Sequence, residues 1–497
     1  MSAFRTVLKK TCSLFCASLA IIAAIAQQNP VEQIKSENPF SIAIAPLRFL
    51  ASDELMGRAT ARPEIHIAAR YIAEEYRSLG LKEFKEAPDY FQSFAITMNS
   101  HGKSGTISIQ DKVYKNIDQF IQVEGQNLQS SAPLVYAGFG TREELEKLDI
   151  RGKIVISKMG YTDSSKWRES LKDMREKSKS IQDKGGLALI ELFRPMGIDW
   201  GRIVQYFQND RPKIDEGLSL PVFLLNENPA NLPQNQTMNG QIEINEGQVK
   251  KIPAENVVGW VEGTDPKLKD QFIVLSAHYD HLGVAKQPKL EEGKLDSIYN
   301  GARDNAVGVT AVIAAARYFS AHPAKRSILF IAYTGEEIGE IGSRYFSLHP
   351  VIALNHLVYN LNIDNANYND TSIVTVIGLG RTSTDDHIKK ASAAFRLTAT
   401  PDPAPEQNLF DRSDNVNLAD KGIPSPTFSL GIKTFDDEIN KRYHQLSDEV
   451  GNFDLNYALR YIYAFILSAK YIADDPLQPL WISGDKYEAA WKELFKK

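Results

Sequence analysis

From residue 256 onward the chain alternates between two textures, and this alternation narrows the fold more than any other feature. Short apolar runs fall at 272–277 (FIVLSA), 327–333 (SILFIAY), 356–363 (HLVYNLNI), 373–378 (IVTVIG) and 426–432 (PTFSLGI). Each has the length of a strand and is apolar nearly throughout, as expected of a strand covered on both faces. Stretches with helical spacing lie between them, notably 306–320 and 455–473. Strands separated by helices predict an α/β fold: a mixed twisted sheet flanked by helices on both faces.

Upstream the texture differs. A helix is predicted over 63–82, where Ile65, Ala69, Ile72, Tyr76 and Leu79 share one face and Gly80 closes the C-terminal end. Residues 91–113 alternate as strands. From 118 to 252, short apolar runs (APLVYAGFG, KIVISKMG, LALIELF, LPVFLL) are broken by turn-rich and charged pieces, with one amphipathic segment at 165–184. That pattern predicts a β-rich module inserted into the α/β domain. The expected division is a leader at 1–26, a discontinuous main domain at 27–117 and 253–475, an insert at 118–252 and a C-terminal helical tail at 476–497. A chain of 497 residues is long enough to bury two cores.

The first 26 residues read as a secretory signal peptide. Arg5, Lys9 and Lys10 precede an apolar run from Leu14 to Ile25, and Ala24-Ile25-Ala26 fits a small-x-small cleavage site. The run is short for a membrane span, so the expectation is an exported protein, secreted or periplasmic, with no membrane span. Cys12 and Cys16 are the two cysteines, and both lie in this leader. The mature chain therefore has no thiolate to offer, and any metal must be held by imidazoles and carboxylates. With 57 Lys+Arg against 62 Asp+Glu there is no basic excess, which makes nucleic acid a poor first guess for a partner, and none is expected.

Histidines and acids gather where the strand-like runs end. FIVLSA leads into His278-Tyr279-Asp280, and SILFIAY leads into Thr334-Gly335-Glu336-Glu337. HLVYNLNI ends into Asp364, the loop after PTFSLGI carries His444, and Asp304 opens the helix that begins near Ala306. In open α/β sheets, ligands bind outside the carboxyl ends of the strands. Two imidazoles and three carboxylates suit Zn²⁺ in an open site, and a shared carboxylate holds two ions about 3.5–4 Å apart. Asp280 lies two residues after His278, on the same strand face, where it can accept the imidazole's second N–H. Glu336 and Glu337 are adjacent and point apart, so one can bind metal while the other acts as general base. Each position also has an ordinary reading: Asp304 as a helix N-cap, Asp364 as a turn residue, the Glu pair as a solvated helix start, His444 as a loop histidine. Their common place at strand ends favours the metal.

Five segments carry a family resemblance: Ser276-Ala277-His278-Tyr279-Asp280-His281-Leu282-Gly283, Ala302-Arg303-Asp304-Asn305-Ala306-Val307-Gly308-Val309, Tyr333-Thr334-Gly335-Glu336-Glu337, Asn362-Ile363-Asp364, and Tyr443-His444 with Ser447-Asp448. In order and spacing they resemble the co-catalytic zinc aminopeptidases, a peptidase family related to glutamate carboxypeptidase. The resemblance implies a pair of Zn²⁺ ions. His278 and Asp364 would hold one, Glu337 and His444 the other, and Asp304 would bridge them. It also implies Glu336 as general base and Asp280 as the orienting acid. The insert looks like a protease-associated domain. The chain departs from the family at Arg303, where an acid is common, and in the stretch after Asp364.

The implied function is a secreted zinc-dependent exopeptidase, an aminopeptidase that removes N-terminal residues from peptides through a di-zinc-bound water. Three alternatives stand beside it. A carboxypeptidase would need Arg303 or Arg412 to anchor a terminal carboxylate. A glutaminyl cyclase-like acyltransferase would use a single zinc. A non-catalytic protein would bind through the insert. The remaining histidines, His281 among them, are read as structural.

Overall fold

The computed structural model describes residues 29–99, 104–125, 127–194, 198–208, 212–214, 219–232, 237–245, 249–291 and 293–496. The leader expected at 1–26, with both cysteines, lies outside the described residues. The chain divides into two compact units, one made of the residues up to Phe94 and from Ala254 on, the other of Ala95–Pro253.

In the first unit the sheet runs in the order Thr398–Pro401, Ile373–Ile377, Thr427–Leu430, Leu357–Ile363, Phe272–His278, Ser327–Tyr333, Val249–Val261. Phe272–His278 pairs in parallel with Ser327–Tyr333 on one side and with Leu357–Ile363 on the other. Leu357–Ile363 pairs in parallel with Thr427–Leu430. Ile373–Ile377 runs antiparallel to Thr427–Leu430, which makes the sheet mixed. The three middle strands are buried along their whole length.

Successive residues of these strands go to opposite layers, as the two-residue period of a strand requires. Ile273, Leu275 and Ala277 pack with the helices Val307–Ala321 and Leu455–Asp474. Phe272, Val274, Leu329, Ile331 and Tyr333 pack on the other face with Phe346 and Leu418, from the helices Ile341–Leu348 and Asn415–Ala419. The helices that follow Phe272–His278 and Ser327–Tyr333 thus cover different faces. The chain steps from the middle strand to one neighbour, then crosses back to the other. Such a reversal opens a crevice beyond the carboxyl end of the middle strand.

The tail ends in a helix, Glu488–Phe495, that buries Trp491 in a cluster with Phe410 and Trp481. Among the described residues no helix is long and apolar enough to cross a membrane.

The second unit holds an eight-stranded sheet in the order Lys112–Lys115, Ser104–Ile109, Met238–Asn245, Gln129–Tyr136, Ile154–Lys158, Ala188–Leu192, Val222–Leu225, Phe120–Glu124. The sequence places the start of the insert at 118, whereas the structure divides the chain at Ala95. The reason is a non-local pairing. Ser104–Ile109 joins Met238–Asn245 antiparallel, more than a hundred residues away, and carries Lys112–Lys115 with it. Period-2 alternation identifies such strands and says nothing of which sheet takes them.

The helix Trp167–Asp183 places Lys177 against Glu191, which lies in Ala188–Leu192. Both side chains are fully buried, Nζ and Oε1 are 2.9 Å apart, and Nζ also donates to the Lys158 and Gly160 carbonyls. Burial pushes the Glu191 carboxyl up to about 7, against the pull of Lys177. Lys177→Met would strand this carboxylate, so we expect a loss of about 3–5 kcal/mol. The loss should be larger at about pH 8 than at about pH 5, because protonation relieves the stranded charge at the acid end. Lys177→Met/Glu191→Leu should recover most of it. Urea unfolding of the whole chain checks all three, and equal stability of the single variant and the parent would contradict this account of the pair.

Candidate metal centre

Four parallel strands end at the crevice, and the predicted residues lie there. His278 is the last residue of Phe272–His278, with no exposed surface. Ala277 pairs with Ile363, so His278 and Asp364 are the next residues in register beyond that pair. Glu336 and Glu337 occupy the loop between Ser327–Tyr333 and the helix Ile341–Leu348. His444 sits in the loops that follow Thr427–Leu430, with φ of 56°.

Asp304 precedes the helix Val307–Ala321 but does not cap it. That helix begins after Ala306, and Asp304 keeps a non-helical φ of −109° and ψ of 92°. The Asp304–Asn305 peptide is cis.

The five expected ligands converge. Nε2 of His278 is 3.3 Å from Asp304 Oδ1 and 3.3 Å from Asp364 Oδ1. Nε2 of His444 is 3.2 Å from Asp304 Oδ2 and 3.2 Å from Glu337 Oε2. Asp304 therefore turns its two oxygens toward two different imidazoles. A tetrahedral ion with bonds of about 2.0–2.1 Å separates its ligand atoms by about 3.3 Å. The four separations match that edge. Among the described residues two compact sets have donors that fit a divalent ion: His278, Asp304 and Asp364, and His281, Asp304 and Glu337, with His444 beside the second.

Glu336 and Asp280 are held beside this set. The Asp280 carboxylate is buried. It accepts from Thr60 Oγ1 at 2.9 Å and from the backbone N–H groups of Glu336 and Glu337 at 3.2 and 3.4 Å. Its Oδ1 lies 3.7 Å from Nδ1 of His278, and that nitrogen is closer to the Asp280 carbonyl, at 3.2 Å. Asp280 thus ties the His278 strand to the Glu336–Glu337 loop.

Arg303 neither faces the solvent nor reaches toward the crevice. It is buried, its Nη1 is 2.8 Å from Asp448 Oδ1, and it donates to the Asn452 side chain and carbonyl. The guanidinium carbon lies 4.7 Å from the centre of the Phe453 ring. The Asp448 carboxylate also accepts the backbone N–H groups of Arg303 and Asp304. Arg303 is thus an internal strut for the Asp304 turn and is spent as a substrate anchor. Arg412 lines a cavity of about 70 Å³ beside Asp364, with Ile377, Phe435 and Tyr443.

Charge dominates the ionisation of the site. Burial and the neighbouring Asp304 oppose ionisation of Glu337, yet hydrogen bonds from His281 and His444 hold its carboxyl below its ordinary range. Asp304 is likewise held below its ordinary range, against burial, by His281, His278 and His444. Burial pushes Glu336 well above the usual carboxylate range, and the charges of Asp364 and Asp414 add to the rise. Burial works against protonation of both imidazoles, but the acids win. His278 is raised well above its ordinary value and His444 to about 10.

Three contributors went unread in the sequence. Arg58 is a buried cation whose Nε donates to the Tyr279 carbonyl and whose Nη atoms donate to those of Asn300 and Gly301. The neighbouring Gly57, at φ 68°, admits no side chain, since a Cβ there would lie 2.3 Å from the Gly283 carbonyl oxygen. Asp414 is buried, and burial pushes it up to about 8. His281 is buried with Nδ1 2.6 Å from Glu337 Oε1, so its reading as a purely structural histidine does not describe its place. The His281 position was visible in the motif, three residues after His278. Nothing local marks Arg58 or Asp414.

Residues 256–467 match the sequence profile of peptidase family M28. Over 249 residues the chain is 24% identical to a vacuolar membrane protease of Phaeosphaeria nodorum, covering 46% of this chain and 23% of that protein. The chain thus spans less than a quarter of the length of that curated relative. Among solved structures, an aminopeptidase from Aneurinibacillus sp. strain AM-1 is 19% identical, with 90% of this chain and 97% of that one covered and a TM-score of 0.48. A peptidase M28 precursor from Shewanella amazonensis SB2B is 17% identical, with 92% and 98% covered and a TM-score of 0.47.

Metal ligands must be deprotonated, and here two imidazoles hold protons well above neutrality without metal. Metal uptake at neutral pH should therefore release protons, and the apparent affinity should fall as pH is lowered from about 8 to about 6. Calorimetric titration with Zn²⁺ in buffers of different ionisation enthalpy measures both. A pH-independent affinity would count against His278 and His444 as ligands.

Proposed function

We propose, for a chain whose residues 256–467 match the sequence profile of peptidase family M28, that it is a zinc-dependent aminopeptidase hydrolysing N-terminal residues from peptides. The observation that carries this reading is Asp304. Its Oδ1 faces the imidazole that Asp364 shares, and its Oδ2 faces the imidazole that Glu337 shares. Two Zn²⁺ ions held by these sets would supply a Lewis acid for the scissile carbonyl and a water ready to lose a proton.

The chain's own residues would do the rest. Glu336 lies beside the set, and burial raises its carboxyl against the pull of His278. Its raised carboxyl suits a group that takes a proton from the attacking water and returns it to the leaving amine. Asp280 holds the backbone of Glu336 and Glu337, and so sets where both carboxylates point. The free α-amine of the substrate would be held by the acidic rim, of which Asp364 is a partly open member, its side chain 21% exposed. Anchoring the amine fixes the distance to the cleaved bond, which is what limits cleavage to the N-terminal residue.

The alternatives lose ground on particular residues. With Arg303 enclosed by Asp448 and Phe453, a carboxypeptidase would have Arg412 alone of the two anchors. A single-zinc cyclase would leave one half of the paired ligand set without a purpose. We read the second unit as a protease-associated domain without a catalytic role, and the first 26 residues as the leader of an exported protein.

The test combines metal analysis with a substrate panel. Aminoacyl amides and peptides with free amines should be cleaved and their acetylated forms spared. Cleavage of acetylated peptides from the carboxyl end, or loss of ammonia from N-terminal glutamine without hydrolysis, would overturn the assignment. Glu336→Gln should keep its metal and lose turnover by about 10²–10⁴-fold. His444→Ala should lose metal, and a near-normal rate for Glu336→Gln would show that the base is another group.

A further inference from the structure

His281 and His444 approach the same carboxylate from opposite sides, and the two contacts are of different kinds. Nε2 of His444 lies 3.2 Å from Glu337 Oε2, the spacing of two atoms that share a metal. Nδ1 of His281 lies 2.6 Å from Glu337 Oε1, too close for a shared tetrahedral ion and right for a charge-assisted hydrogen bond.

The His281 ring is fixed on its other sides. Its Nε2 is buried and has no partner among the described residues. A proton on Nδ1 therefore satisfies the carboxylate and leaves no buried N–H unmet. Its backbone N–H donates to the Arg58 carbonyl at 3.2 Å. Gly301, at φ 57°, lets the ring sit where a Cβ would come within 2.6 Å of His281 Cδ2. The ring is thus clamped with Nδ1 aimed at Oε1.

We propose that His281 is a positioning residue for the metal position held by Glu337 and His444. By occupying Oε1 it reserves Oε2 for metal and makes Glu337 a one-oxygen ligand. This rests on the two-metal reading above. The other position, held by His278 and Asp364, is farther from that donor: His281 Nδ1 lies 3.8 Å from Asp304 Oδ2, the oxygen turned to His444, while Oδ1 is the oxygen turned to His278. Loss of the His281 donor should therefore weaken one metal position and spare the other. Outer-shell donors of this kind are worth about 10–100-fold in metal affinity.

The test is a titration of the metal-free full-length protein with Co²⁺, followed by visible absorption and by calorimetry. His281→Leu should keep one binding step at parental affinity and weaken the other by about 10–100-fold, with a changed absorption spectrum at the weakened step. His281→Gln retains a side-chain N–H and should recover much of the loss, and thermal melting of both variants verifies that they fold. Two unchanged steps in His281→Leu would overturn the proposal. So would equal weakening of both steps without rescue by His281→Gln, which would make His281 a packing residue. A parent protein that binds no Co²⁺ would overturn the two-metal reading itself, and a parent with two steps keeps the two failures apart.

Discussion

The chemistry of this crevice depends on Asp304 being held still with its two oxygens turned apart. A carboxylate bound to its surroundings only through its own oxygens would rotate toward whichever imidazole carried more charge. Here the backbone does the holding. The Asp304 N–H donates to Asp448, the adjacent Arg303 guanidinium grips the same acid, and the Asn305 side chain donates to the Ile363 carbonyl at 2.8 Å. The Asn365 side chain in turn donates to Asn305 at 2.9 Å. The turn is thus fastened on one side to the loop after His444 and on the other to the strand that delivers Asp364.

That fastening is needed because the crevice concentrates acids where water is scarce. Asp280, Asp304, Asp414 and Asp448 are buried, and Glu336 and Glu337 lie close by. Like charges at such distances repel strongly in a medium of low dielectric constant. Two buried guanidiniums answer part of this. Arg58 feels Asp304, Asp280, Asp448 and Glu337, and burial still draws it down to about 10. Arg303 neutralises Asp448 directly. The remaining repulsion adds to burial in raising Glu336 and Asp414, whereas Asp304 and Glu337 are held down by the imidazoles they face. Divalent cations placed among those groups would relieve it, so the same imbalance that strains the metal-free site would favour metal binding.

Much of this was legible in the chain because it is local. A buried strand announces itself by an apolar run, and the residues after it are then known to stand at the rim. His278, Glu336, Glu337 and Asp364 were found that way. What sequence could not disclose are pairings over long separations. Arg303 reads as an oddity in its motif, and only contact with Asp448, 145 residues on, makes it a strut. Arg58 lies outside every apolar run that leads to the rim, and its partners Tyr279, Asn300 and Gly301 are more than two hundred residues away. The same holds for where the insert begins, since the strands near 104–115 declare their sheet only through Met238–Asn245.

The two halves of the candidate centre are also built by different means. His278 and Asp364 follow directly on the paired residues Ala277 and Ile363 of neighbouring strands, so the ladder itself sets their spacing. Glu337 and His444 come from loops, which no ladder fixes. Their alignment rests on side-chain and backbone hydrogen bonds: Asp280 on the Glu337 N–H, His281 on Oε1, and the Asp448 loop behind Asp304. On the two-metal reading proposed above, a site made from one half of each kind would have one metal position as rigid as the sheet and one adjustable through the hydrogen bonds around it. Sequence variation near the second half can therefore tune it without disturbing the fold, whereas variation in the strands around the first half cannot.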